Sequence, residues 1–225
     1  MRYYPAYVLL IVLAAIFAAA APGAAEDPRT LAILPFENNS ITDADQFAPL
    51  CEGLPIMLMT ELSNTASDSF QLIERSRINA LLEEISLGQS GAIDPATAVK
   101  VGKLLGAQSI GFGAFMVMGK MMRIDMRIIG VETGAVIMAS SISGRTDDFL
   151  TLQRELAAKI AHSLEVRLAG PEPGAKSDIE AAILFARGVE AREAGDDKAA
   201  AVFFTKAVKI DPAYKEKVAR ITGEN

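Results

Sequence analysis

Few residues in this chain of 225 could carry chemistry. There is one histidine, His162, and one cysteine, Cys51, so neither a histidine-based triad nor a multi-histidine metal site can be assembled. Glu74 beside Arg75 could supply an acid with a shifted pKa. At the end of a strand, though, the pair is better placed to anchor the next helix by hydrogen bonds. The run GFGAFMVMGK (Gly111–Lys120) has glycines and a lysine. It lacks the Walker spacing, has no Ser or Thr after the lysine, and lies in strands instead of at a strand–helix junction. Met116, Met118, Met121, Met122, Met126 and Met138 could offer thioethers to copper. Their alternation marks core packing instead, and those nearest the turn, Met118 to Met122, are candidates for an exposed apolar contact. No general acid/base pair emerges. The expectation is a protein with no catalytic residue, no metal ligand and no cofactor, hence not an enzyme.

The elements that would position such residues are best defined between Leu72 and Ala107. Ile78, Leu81, Leu82 and Ile85 recur at helical spacing, with Arg77, Glu83 and Glu84 outside the stripe. Asp94 then caps a second helix whose first turn holds Pro95, since an Asp oxygen satisfies orphan N–H groups and proline lacks one. Ala98, Val101, Leu104 and Leu105 form its apolar stripe, and Gly106 suits a left-handed C-terminal cap. These two helices read as scaffold.

Upstream, Thr30–Pro35 reads as a strand buried on both faces. Phe36–Leu50 reads as a long polar loop. A helix from Gly53 and Pro55 to Thr65 is apolar nearly all round, which places it deep in a core or in an oligomer contact. Ser69–Glu74 is the next strand. Downstream, Gln108–Met118, Met121–Val131 and Ala135–Gly144 form an antiparallel meander, joined by turns at Gly119-Lys120 and Glu132-Thr133-Gly134. In the middle strand Arg123, Asp125 and Arg127 alternate with Ile124, Met126 and Ile128, so it is half exposed. A long helix follows Asp147 and Asp148. The order predicts an α/β layered sandwich, with helices against a mixed sheet of about five strands.

The Pro/Gly-rich residues 169–177 form a linker between an α/β domain at 26–168 and a helical unit at 178–225. Residues 179–212 fit one tetratricopeptide repeat. Leu184, Gly188, Phe204 and Ala207 sit at its groove positions, and 213–221 form a capping helix. Its usual aromatic positions are Ala191 and Asp197 here, so the packing face is thin. A lone repeat cannot bury its own apolar face, and must dock on the first domain, on another copy or on a partner.

Residues 1–25 have a basic start at Arg2, an apolar run from Tyr7 to Ala21 and small residues at 22–25. That is the pattern of a secretory signal, with an uncleaved membrane tether as the other reading. Either places the body outside the cytoplasm. Without Arg2 the chain carries 21 basic and 28 acidic residues, a net charge of −7. That disfavours nucleic acid and anionic lipid as primary partners. Cys51 alone permits no internal disulfide; in an oxidising compartment it could pair between chains, but its place just before an apolar helix favours burial as a small hydrophobe.

The strand LAILPFEN (Leu31–Asn38), Glu74-Arg75 after a strand, the Asp94–Ala98 loop, the Leu104–Ala107 run and the Thr133-Gly134 turn stand in order from about Leu31 to Leu168. Together they resemble the CsgG family of curli production assembly/transport proteins, whose relatives include FlgO-like and LpoB-like proteins and the TolB N-terminal domain. The resemblance implies a non-catalytic envelope adaptor for secretion or assembly of surface structures, acting through protein partners and possible self-association. An LpoB-like regulator of a cell-wall synthase is the alternative, and a cryptic hydrolase the least favoured. By position, the loop after the first strand is a candidate contact loop, with Phe36, Asn38, Asn39 and Phe47. The turns between Gln108 and Gly144 leave no room for the extra hairpins of the family's transmembrane barrel, so no pore is expected from this chain alone. Cys51 lies far from the signal, so lipidation is not implied.

Overall fold

The computed structural model describes residues 29–66, 70–85, 94–164 and 179–223. The first 28 residues and residues 165–178, which include the signal and linker of the sequence reading, lie outside them. The fold is α/β: a mixed sheet with strands in the order β3-β1-β4-β5-β6 and a short β2 beside β4. β1 (Arg29–Ile33) is flanked by β3 (Phe70–Leu72) and β4 (Ser109–Met118), both parallel to it. β4, β5 (Met121–Gly130) and β6 (Val136–Arg145) form the antiparallel meander. β1 is central and covered on both sides, which is why Leu31, Ala32 and Ile33 are all buried without alternation.

The expected long loop after β1 is more structured than its polar composition suggested. β2 (Glu37–Asn38) pairs with Ala114 and Phe115 of β4, and a short helix α1 (Ala44–Phe47) follows. Phe36 and Phe47 turn inward and are only 2% and 6% exposed. Two apolar side chains in a polar segment pulled the whole segment onto the sheet. Gly113 allows this, because a Cβ there would lie 2.8 Å from the Phe36 ring.

The two faces of the sheet are covered differently. On one face lie α2 (Leu50–Ala66) and α5 (Phe149–Ser163). Leu54, Met57, Leu58 and Leu62 of α2, with Phe149, Leu156 and Ile160 of α5, are fully buried there. On the other face α3 (Arg75–Glu84) and α4 (Pro95–Leu105) pack Ile78, Leu82, Ala98, Val101 and Leu105 onto Ala32, Ile110 and Phe112. Asp94 accepts from the backbone N–H of Ala96 (2.8 Å) and Thr97 (3.0 Å), and Pro95 occupies the first turn of α4. Gly106 closes α4 in the left-handed conformation, φ 69°.

The C-terminal helices α6 (Ile179–Glu193), α7 (Asp197–Ile210) and α8 (Tyr214–Thr222) dock on α2. One apolar cluster runs from Leu31 on the sheet through Met57 to Phe185, Phe204 and Tyr214. Phe185 is central to it, 5.7 Å from the Phe204 ring and 5.4 Å from that of Tyr214. Burying each such side chain is worth about 1.5–3 kcal/mol, which a solitary helical hairpin could not gain unaided. At the contact of α2 with α6, a Cβ on Gly53 would collide with that of Ala186. The glycine lets the two helix backbones approach closely.

Candidate contact site

Of the residues with chemical potential, Arg75 is the one built most firmly into the fold. Arg75 does not brace its own helix. Its guanidinium donates to the Glu52 carbonyl (2.7 Å), pairs with the Glu52 carboxylate, and reaches Glu193 of α6 (2.7 Å). It therefore joins α3, α2 and the docked helices at one point. Burial pushes the Glu52 carboxyl above its ordinary pKa, against the opposing pull of Arg75; Glu190 is raised by burial as well. Glu74 is exposed and makes no side-chain cap, although its carbonyl accepts from Arg77 N–H (3.1 Å).

A second polar cluster lies under α8. Lys217 Nζ is 3.5 Å from Glu61 and 3.4 Å from Gln153 Oε1, while Gln153 donates to the Met57 carbonyl (3.0 Å). Burial lowers the Lys217 pKa. A buried ammonium of this kind is held by its partners. Both clusters serve the docking of the C-terminal helices.

The four positions assigned to the repeat groove fall inside that docked unit. Gly188, Phe204 and Ala207 are buried and Leu184 is half-buried. A Cβ at Gly188 would lie 2.5 Å from the Phe204 ring, so the space between α6 and α7 is filled by the chain's own phenyl group. His162 is exposed at the end of α5. Cys51 packs half-buried against the core, and burial pushes its thiol up to about 11. A thiol so disposed is a poor nucleophile at neutral pH. Among the described residues no group of three or more His, Cys, Asp or Glu could hold a metal ion.

Two surfaces stand out among the described residues. The first is the tip of the β4–β5 hairpin with the segment after β2. Asn39 N–H donates to the Phe115 carbonyl (2.8 Å) and Ile41 N–H to that of Val117 (3.1 Å). Ser40 Oγ accepts from Val117 N–H (3.1 Å), and Thr42 Oγ1 accepts from Gly119 N–H (3.2 Å). Asn38 Nδ2 donates to the Ala44 carbonyl (2.8 Å). These bonds hold the segment against β4 and leave Ile41 68%, Met118 56% and Met121 47% exposed. Of the candidate contact loop, Asn39 is thus exposed and Asn38 half-buried, whereas Phe36 and Phe47 are core. Ile41 was overlooked in the sequence; one large apolar residue amid Asn, Ser, Thr and Asp was the available signal. Met122 and Met126, by contrast, are buried in the sheet.

The second surface is the face of the meander beyond α4. It is a concavity of about 710 Å³ lined by Glu37, Phe112, Ala114, Arg123, Asp125, Arg127, Ala139 and Ser141. Arg123 grips Asp125 with two nitrogens (2.8 and 2.9 Å) and donates to Ser141 Oγ (3.0 Å), which also bonds Asp125. The hydrogen bond from Arg123 holds the Asp125 carboxyl below its ordinary range. The Arg–Asp alternation was legible in the sequence, but the Ser141 partner depends on the β5–β6 register.

No helix among the described residues is long and apolar enough to cross a membrane. Comparison with curated proteins finds no match. Among solved structures, the LpoB C-terminal domain from Salmonella enterica is similar at 16% identity and a TM-score of 0.41, over 60% of this chain and 93% of that one. TolB from Acinetobacter baumannii is similar at 12% identity and a TM-score of 0.41, over 61% of this chain and 28% of that one. A PelC dodecamer from Paraburkholderia phytofirmans is similar at 15% identity and a TM-score of 0.39, over 63% and 90%. The family model for the curli production assembly/transport component CsgG matches residues 14–148, more than half of the chain, and ends where α5 begins. The chain belongs to the CsgG family.

Proposed function

We propose that this chain is a non-catalytic protein of the cell envelope, an adaptor that supports secretion or assembly of surface structures by holding other proteins. It is exported, and it is not a pore by itself. The family match supports the envelope setting, since the family is described as a curli production assembly/transport component. The observation that carries the mechanism is the hairpin tip: three exposed apolar side chains, Ile41, Met118 and Met121, on a segment fastened by backbone bonds to β4. Apolar groups held on a rigid support bind with little further ordering cost, which suits a protein contact. Asn39 supplies polar hydrogen-bonding capacity at the rim. The C-terminal helices, read as a tetratricopeptide-like unit, brace the domain at α2.

The test is capture of envelope proteins by the mature chain and by an Ile41→Asp/Met118→Asp variant. Both positions are exposed, so the variant's thermal unfolding should match the parent's within a few degrees. The reading expects the parent to retain a defined partner and the variant to lose it. Equal capture by both, or a chain confined to the cytoplasm on fractionation, would overturn it.

A further inference from the structure

The edge of the sheet at β6 is unusual in its chemistry. β6 is the last strand, and among the described residues nothing pairs with its outer side. Thr146 N–H donates to the Lys120 carbonyl (3.0 Å), and Met122, Ile124 and Met126 stand opposite Gly144, Ile142 and Ser140. Backbone groups alternate in direction along an antiparallel strand. The even-numbered residues from Met138 to Gly144 therefore bond β5, and Ala139, Ser141 and Ser143 turn their N–H and C=O outward. Edge strands are ordinarily guarded by charge, proline, a bulge or shortness. β6 has ten residues, no proline, and no charged side chain before Arg145. Its ladder carries one bulge, at Ile137, which is left unpaired opposite Ile128/Ile129, before the outward-facing stretch begins at Ala139.

We infer that β6 pairs antiparallel with β6 of a second copy, about a two-fold axis at Ser141. In that register Ala139 faces the partner subunit's Ser143, and Ser141 faces the partner subunit's Ser141. About six backbone hydrogen bonds form. A second copy is favoured because an isologous antiparallel contact sets a stretch against itself, so any charge within it would meet its like or its near neighbour. Here the outward-facing residues are small, exposed and neutral. The other sheet edge, β3, has only three residues, so head-to-tail pairing would leave most of the outward groups of β6 unmatched. The contact also sets the two Arg123–Asp125–Ser141 surfaces side by side on one face. The inference deepens the contact-protein reading by naming one contact, and it does not use the hairpin tip.

The test is sedimentation equilibrium of the full mature chain over a wide concentration range. Ala139→Lys with Ser143→Lys sets like charges opposite each other at both cross-strand pairs. Ala139→Glu with Ser143→Lys sets opposite charges there. The inference expects a dimer for the parent, a dimer for the Glu/Lys variant, and association weakened by about tenfold or more for the Lys/Lys variant. Circular dichroism should show the same fold in all three. Ser141→Cys should add a disulfide-linked dimer on mild oxidation. A monomeric parent at every concentration, or equal association by both double variants, would overturn the inference. Partner capture through the hairpin tip by a monomeric chain would leave the broader reading standing and remove this one.

Discussion

The two faces of the sheet make different use of the same strands. One is sealed twice, first by α2 and α5 and then by α6–α8, and its apolar cluster runs unbroken from Leu31 to Tyr214. The other is covered by α3 and α4 over β1 and the start of β4, then left open where Arg123, Asp125 and Arg127 project from β5. On the sealed face, charged groups such as Arg75 and Lys217 are fixed between elements and stabilise docking. On the open face, charged groups pair with near neighbours in solvent, where such pairs contribute little to stability. Stability and contact thus divide between the faces, and substitutions should separate them.

The largest effect is expected at Phe204. Truncation to Ala would empty the space beside Gly188 and cost about 3–5 kcal/mol, read as a fall in the urea midpoint. Next is Arg75→Met, which strands the Glu52 carboxylate beside Glu190 and Glu193. A fully buried pair broken in this way costs about 3–5 kcal/mol. Because Glu193 is 40% exposed, about 2 kcal/mol is expected after discounting for solvent. A smaller effect is expected from pH. The carboxyls of Glu52 and Glu190 are raised above the ordinary 4.5 in the folded chain. Their contribution is therefore fully present below that value and is lost as pH rises through the raised ones. Chemical unfolding should show docking strengthening as pH falls from neutral towards 5, and Glu52→Gln should flatten that slope. Asp125, held low, acts the other way: its contribution is present above 3.8 and lost as pH falls further. The smallest effect is expected on the open face, where Arg127→Ala should change stability by no more than about 0.5 kcal/mol.

The sheet and its flanking helices were legible because their signals are local. Alternation in β5, the Asp94-Pro95 cap and the Gly106 stop each depend on a few neighbouring residues. The segment after β1 was misread because Phe36 and Phe47 join an apolar cluster with Phe115 and Val117 of β4, far away in sequence. The role of Arg75 was hidden for the same reason: its partners Glu52 and Glu193 lie 23 residues before it and 118 after it. The all-round apolar character of α2 did imply burial on more than one side. What the sequence left open was whether the C-terminal helices would dock on this domain, on another copy or on a partner. Gly53, fitted against Ala186, carries that information only once both helices are placed.

Native-state hydrogen exchange tests most directly whether α6–α8 belong to the core of the CsgG-like sheet. Amides in the middle of α6, around Phe185, should open with the same free energy as those of Leu58 in α2 and Ile33 in β1, and should respond equally to denaturant. Exchange of α6–α8 at a much lower free energy, with α2 and β1 still protected, would contradict the account.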